Sequence, residues 1–199
     1  MQPTAASYPA TLSFEPPEKV ANWRALVAGL MAIPHWIVLY GIGVVSGFAS
    51  VIAWFAILFT GRMPEGLGKL QALYIRYYTR TAIYSAFMKE EYPPFSFDAT
   101  AEDPGDDPRI RVDTQIALDD RNRVTTFFRW LLAIPHFIVL ALLGMAVYVV
   151  IVIAFFAVLF TGRWPAGLRD FAIGFGRWSV RVFAYTLLLT DEYPPFSLD

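Results

Sequence analysis

Residues 25–59 and 126–160 are two almost unbroken apolar runs of 35 residues each. Their only charge-capable side chains are His35 in the first and Arg129 and His136 in the second. Each run is too long for the core helix of a soluble domain and well beyond the roughly 18 apolar residues that mark a membrane span. A single helix of that length would measure about 52 Å, against a hydrocarbon core of roughly 30 Å. The expectation is therefore a helical hairpin of two short spans in each run, over 24–60 and 125–161. Gly41, Gly43 and Gly47 fall where the first hairpin would turn, and Gly144 marks the same place in the second.

Both runs stop at Thr-Gly-Arg-x-Pro, residues 60–64 and 161–165. Glycine suits the left-handed position after a helix end, and proline prevents continuation. Arg62 and Arg163 place a cation beside the last helical carbonyls, at the level of the lipid headgroups. The following segments, 66–88 and 167–189, are apolar but carry Arg76, Arg80 and Tyr84, and Arg177, Arg181 and Tyr185, four apart and hence on one helical side. An arginine at bilayer centre costs at least about 2.5 kcal/mol, so these segments read as interfacial amphipathic helices with the basic side toward water and phosphate, the alternative being a bundle that spans with its arginines buried against carboxylates.

Short period-two alternations at Thr11–Glu15 and Ile110–Ile116 predict strands at the membrane surface. The Pro-Pro segments 91–98 and 192–199 must be extended and are expected to pair with those strands. Residues 99–123, with eight acidic residues and four arginines over 98–123, read as a hydrated acidic linker containing the second strand.

Shifting the chain by 101 positions aligns its two halves without a gap. Ala32-Ile33-Pro34-His35 falls on Ala133-Ile134-Pro135-His136, Leu58–Arg62 on Leu159–Arg163, and Glu91–Ser96 on Glu192–Ser197. The chain is thus a tandem duplication, repeat one over 1–98 and repeat two over 124–199. Its IPH, FTGR and (D/E)EYPPFS signatures resemble those of a family of uncharacterised bacterial membrane proteins, a duplicated domain of unknown function. The resemblance implies a membrane location and carries no activity. Repeat one has Lys89-Glu90 where repeat two has Thr190-Asp191.

The fold class expected is a mainly α membrane protein with two tandem parallel repeats. Each is a short transmembrane hairpin plus an interfacial helix, with extended or β segments on the cytoplasmic face. Every basic flank then faces one side, which the positive-inside rule makes the cytoplasm, as are both termini. Residues 1–22 have neither a basic start nor an apolar stretch and do not read as a signal peptide. The expected location is the bacterial cytoplasmic membrane, with multiple crossings.

Composition narrows the function. The chain is 56% hydrophobic, 17% charged and cysteine-free, with a net charge of −1, which excludes a disordered chain, a disulfide scaffold and a nucleic-acid binder acting by bulk charge. No nucleophile elbow, phosphate loop, dinucleotide fingerprint or metal-type cluster occurs in the sequence, and the runs lack the carboxylates that proton-coupled pumps use. The leading expectation is a non-enzymatic membrane scaffold or accessory subunit without cofactor. It would bind membrane lipids and either other protein subunits or itself. Its anionic-lipid surface would consist of Arg62, Arg76, Arg80, Arg163, Arg177 and Arg181, unless pairing with Glu90, Glu91, Asp191 and Glu192 consumes them. The alternatives are a membrane-shaping hairpin protein and a haem or pigment carrier using His35 and His136. These imidazoles could also relay protons or simply satisfy polar groups at a proline kink.

Overall fold

The computed structural model describes residues 8–199, so the start of the 1–22 stretch that does not read as a signal peptide lies outside them. The chain runs β1 (Ala10–Phe14), α1 (Arg24–Met31), α2 (Ile33–Thr60), α3 (Glu65–Ser85), β2 (Ile110–Thr114), α4 (Arg123–Phe127), α5 (Arg129–Thr161) and α6 (Ala166–Thr186).

The apolar runs are not hairpins. Arg24–Thr60 forms one helical path of 37 residues with a slight break at Ala32, and Arg129–Thr161 a single helix of 33 residues. Gly41, Gly43, Gly47 and Gly144 sit inside these helices without turning them. A glycine permits a turn but does not enforce one when every backbone group already has a helical partner. The turns fall at Thr-Gly-Arg-x-Pro, so the hairpin in each repeat is α2 with α3, or α5 with α6.

Each elbow closes the same way. Gly61 and Gly162 are left-handed, at φ 72° and 68°, and their N–H groups donate back to Ile57 and Val158. The Thr60 and Thr161 hydroxyls donate to Ala56 and Ala157 carbonyls at 2.7 Å and accept the Arg62 and Arg163 N–H groups. Pro64 and Pro165 then start α3 and α6.

The repeats interlock. Val20 N–H donates to the Gly162 carbonyl at 2.8 Å, and Arg121 N–H to the Gly61 carbonyl at 3.0 Å, a matched pair of bonds between repeats. β1 and β2 pair antiparallel, with Thr11 opposite Asp113 and Leu12 opposite Val112. These matched contacts define a two-fold relation whose axis passes through the sheet centre and exchanges the two elbows. Each elbow touches the segment that leads into the other repeat's long helix, so the elbows lie at opposite ends of the molecule. The expected parallel relation of the repeats is therefore corrected to an antiparallel one, in which Arg24 and Arg62 stand at the two ends of one long helical path.

Three layers result. The long helices are outermost, α3 and α6 lie beneath them, and the sheet and linker cap the far side, with β1 on α6 and β2 on α3. The EYPPFS segments are extended as expected but do not join the sheet, because each repeat's strand pairs with the other strand instead. The linker is also not a simple hydrated tether, since Asp103 and Asp107 are buried.

On the long helices the usual size order is reversed. Ala25, Ala28, Ala32, His35, Leu39, Ser46, Ala49, Ala53 and Ile57 face inward, while Leu26, Leu30, Ile37, Tyr40, Phe48, Phe55 and Phe59 face outward. α5 repeats the pattern, with Ala133, His136, Ala154 and Val158 inside and Ile138, Met145, Phe156 and Phe160 outside. Small residues let helix backbones approach closely where no water drives large side chains inward.

Candidate functional site

The three sequence signatures converge around each histidine. Pro34 starts α2 and Pro135 lies within α5, and each places the next residue on the inward stripe. His35 is fully buried and stacks on Phe95 at 4.1 Å and 11°, with Tyr92 at 4.7 Å. His136 repeats this with Phe196 at 4.0 Å and 14° and Tyr193 at 4.8 Å. The Tyr92 and Tyr193 hydroxyls donate to the Met31 and Leu132 carbonyls, pinning the Pro-Pro segment to the helix.

The imidazole partners differ between repeats. His35 Nδ1 shares a 2.8 Å hydrogen bond with the Tyr77 hydroxyl. His136 Nδ1 accepts from Trp178 Nε1 at 3.2 Å. An indole only donates, so neutral His136 carries its proton on Nε2. Both Nε2 atoms are buried and, among the described residues, neither has a hydrogen-bond partner. Each ring is held in a cage of its own repeat. Among the described residues no group of three or more His, Asp or Glu side chains converges.

The arginine ladders are corrected. Arg76, Arg80 and Arg181 are buried and Arg177 half-buried, all turned toward the cap and not toward phosphate. The reason is the third layer, which covers the side of α3 and α6 that an interfacial helix would give to water. Arg76 donates to the Thr100 carbonyl at 2.6 Å and hydroxyl at 3.2 Å. Arg80 pairs with Asp103 and Asp106, each at 2.7 Å. Asp103 in turn accepts the Gly105 and Val112 N–H groups at 2.8 Å. Arg177 reaches the Leu12 carbonyl at 3.4 Å, while Arg181 holds the Asp199 carbonyl at 2.6 Å and the Ser197 carbonyl. These arginines tie strand, linker and tail to the middle helices.

Of the six arginines expected to meet lipid, only Arg62 and Arg163 are exposed. Arg62 forms an ion pair with Asp119 at 2.9 Å.

Two clusters escaped the reading of the sequence. Arg129, wholly buried in the first turn of α5, donates to Asp191, to the Thr190 carbonyl at 2.5 Å and to the Tyr185 carbonyl at 3.2 Å, and lies 4.3 Å over the Tyr185 ring. Asp191 also accepts from Arg121 at 2.8 Å and from the Asn122 N–H at 2.8 Å. Burial alone would raise its pKa, but the bonds from Arg121 and Asn122, the Arg121 charge and Arg129 outweigh that and hold the carboxyl at about 2. The second cluster is the fully buried Lys89–Asp107 pair. Burial pulls the lysine down, and Asp107 only partly restores it. The clue to the first was Arg129 itself, a lone charge in an apolar run with only Ala28 at the matched position.

The matched acids Glu90 and Asp191 do the same work. Each accepts the backbone N–H at the start of its own repeat's helical path, Ala21 and Asn122 respectively. Glu91 pairs with Arg109 at 2.6 Å. The groups that hold Arg76 and Arg80, Thr100 for the first and Asp103 and Asp106 for the second, thus come from the linker and not from the acidic ends of the repeats.

A family model described as "Domain of unknown function (DUF4389)" matches residues 22–96 and again residues 123–197, the two repeats in the same register. No curated protein and no solved structure matches the chain.

Proposed function

The chain belongs to the family of the domain of unknown function DUF4389, and from that premise we propose that it is a non-enzymatic scaffold or accessory subunit embedded in a membrane. The observation that carries this reading is the reversed size order of the two long helices. Large apolar side chains cover their outer stripe, and no charged side chain occurs over 25–61 or 130–162. Such a face is stable against lipid and would aggregate in water.

The cap supplies the complementary half of a scaffold. Its sheet buries Leu12, Phe14, Ile110 and Val112 and turns Thr11, Ser13 and Arg111 outward, a rigid polar surface on which another subunit can dock. Arg62 and Arg163, exposed at the elbows, take the role of contacting anionic headgroups.

Native mass spectrometry of the chain extracted from its membrane in mild detergent tests the proposal. It predicts a stoichiometric second subunit or second copy together with retained anionic lipid. Arg111→Glu should release the protein partner without lowering the unfolding temperature, and Arg62→Glu with Arg163→Glu should release the lipid. A lone, lipid-free monomer would overturn it.

A further inference from the structure

Two helices long enough to cross a membrane invite the assumption that they do. The two-fold relation argues otherwise. The centre of the β1–β2 pairing lies on the axis, between Thr11–Asp113 and Leu12–Val112. The elbows are exchanged by the same axis and lie at opposite ends of the long helices. The sheet is therefore equidistant from the two elbows, level with the middle of the helices.

A crossing orientation would make that level the middle of the bilayer. Arg111 stands exposed on the outer face of the sheet, and Glu15 and Glu102 are exposed beside it. All would face hydrocarbon, where exposed charge has no water, and the Asp113 carboxylate that stands 3.8 Å from Arg111 is itself two-fifths exposed. Length gives the same answer independently. The Arg24–Thr60 path is about 55 Å long and Arg129–Thr161 about 50 Å, against a core of roughly 30 Å. Neither helix carries a polar collar at which a thinner core could end. Apart from the elbow threonines, only the inward His35 and His136 and the buried or half-buried Ser46 and Ser50 interrupt the aliphatic and aromatic residues of 25–61 and 130–162.

Trp36, Tyr92, Phe95, Tyr193 and Phe196 are exposed beside the first third of each long helix, and three of them hold a polar tip in a hydrogen bond: Trp36 to Ser85, Tyr92 to Met31 and Tyr193 to Leu132. Such rings settle at the boundary between headgroups and acyl chains. When the helices lie flat, the outer stripe meets acyl chains along its whole length, the aromatic rim meets the boundary, and the cap meets water.

We infer that the chain occupies a single leaflet of a phospholipid bilayer, its two long helices parallel to the membrane plane and both elbows at the same surface. This rests on the membrane-embedded reading and replaces a crossing with a one-sided insertion.

The chain has no cysteine, so substituted thiols report cleanly. The full-length Arg62→Cys/Arg163→Cys variant, in sealed phosphatidylethanolamine–phosphatidylglycerol vesicles, is treated with a membrane-impermeant maleimide and counted by intact mass. One-sided insertion predicts molecules labelled twice or not at all, whichever leaflet each occupies. A population labelled once overturns the inference and leaves the membrane reading standing. Phe48→Cys and Val149→Cys, carrying a fluorophore, separate the other failure. Quenching by shallow brominated lipids is expected; full aqueous reactivity at both, with no vesicle flotation, would overturn the membrane reading as well. Arg111→Cys should follow the elbows in the same vesicles.

Discussion

Asp191 joins two guanidinium groups to the segment that begins α4. Two guanidinium groups, Arg121 and the wholly buried Arg129, converge on it, and its second oxygen accepts the N–H of Asn122. Removing one partner of such a cluster leaves an unpaired buried charge, which costs roughly 3–5 kcal/mol when burial is complete. Asp191 is a quarter exposed, so Asp191→Asn should cost about 3 kcal/mol, read as a lowered unfolding temperature in detergent. The pH dependence has a definite sign. The folded carboxyl, held at about 2, lies below the roughly 3.9 of an unfolded chain. Its stabilisation, on the order of 2 kcal/mol, is complete above about pH 4 and disappears as pH falls toward 2. Asp191→Asn should flatten acid unfolding in that window, and an unchanged profile would show that the two arginines are satisfied elsewhere.

The elements were legible to different degrees. Both strands, both Thr-Gly-Arg-x-Pro stops and the helices that follow can be read from periodicity and from glycine–proline punctuation, because those signals act locally. The hairpins were misplaced for a physical reason. Gly41, Gly43 and Gly47 carry the same turn signal as Gly61, but only Gly61 is followed by a proline and takes a positive φ. Length then misled, because a run too long for one crossing was divided into two, whereas each run is one continuous helical path. A pair of substitutions separates the two kinds of glycine. Gly162→Ala forces a side chain into a left-handed position and puts its Cβ 2.8 Å from the Val20 carbonyl oxygen, and should cost about 1–3 kcal/mol. Gly41→Ala meets nothing within 4 Å and should stabilise its helix by up to about 1 kcal/mol. Thermal unfolding of the two variants side by side checks both signs.

The whole molecule is a duplication that became a two-fold object, and this scale was the hardest to read in advance. A four-residue arginine spacing says that Arg76 and Arg80 share a helical side, but the same spacing serves a side turned to lipid phosphate and one turned to a protein cap. What decides is the partner, and Thr100, Asp103 and Asp106 come from the connection between repeats, more than twenty residues on. The histidine cages were half visible: IPH and YPPF recur together in both repeats, yet only the folded chain shows that they touch. The flat orientation depends on the axis, which is a property of neither repeat alone. Spin labels placed one at a time along the outer stripe of α2, from Leu26 through Ile37 and Phe48 to Phe59, measure it most directly. The oxygen-to-nickel accessibility ratio in phospholipid vesicles should stay at one shallow depth from end to end. A depth that rises to a maximum near Tyr40 and falls again toward Phe59 would mean that the helix crosses, and would contradict the one-sided molecule described above.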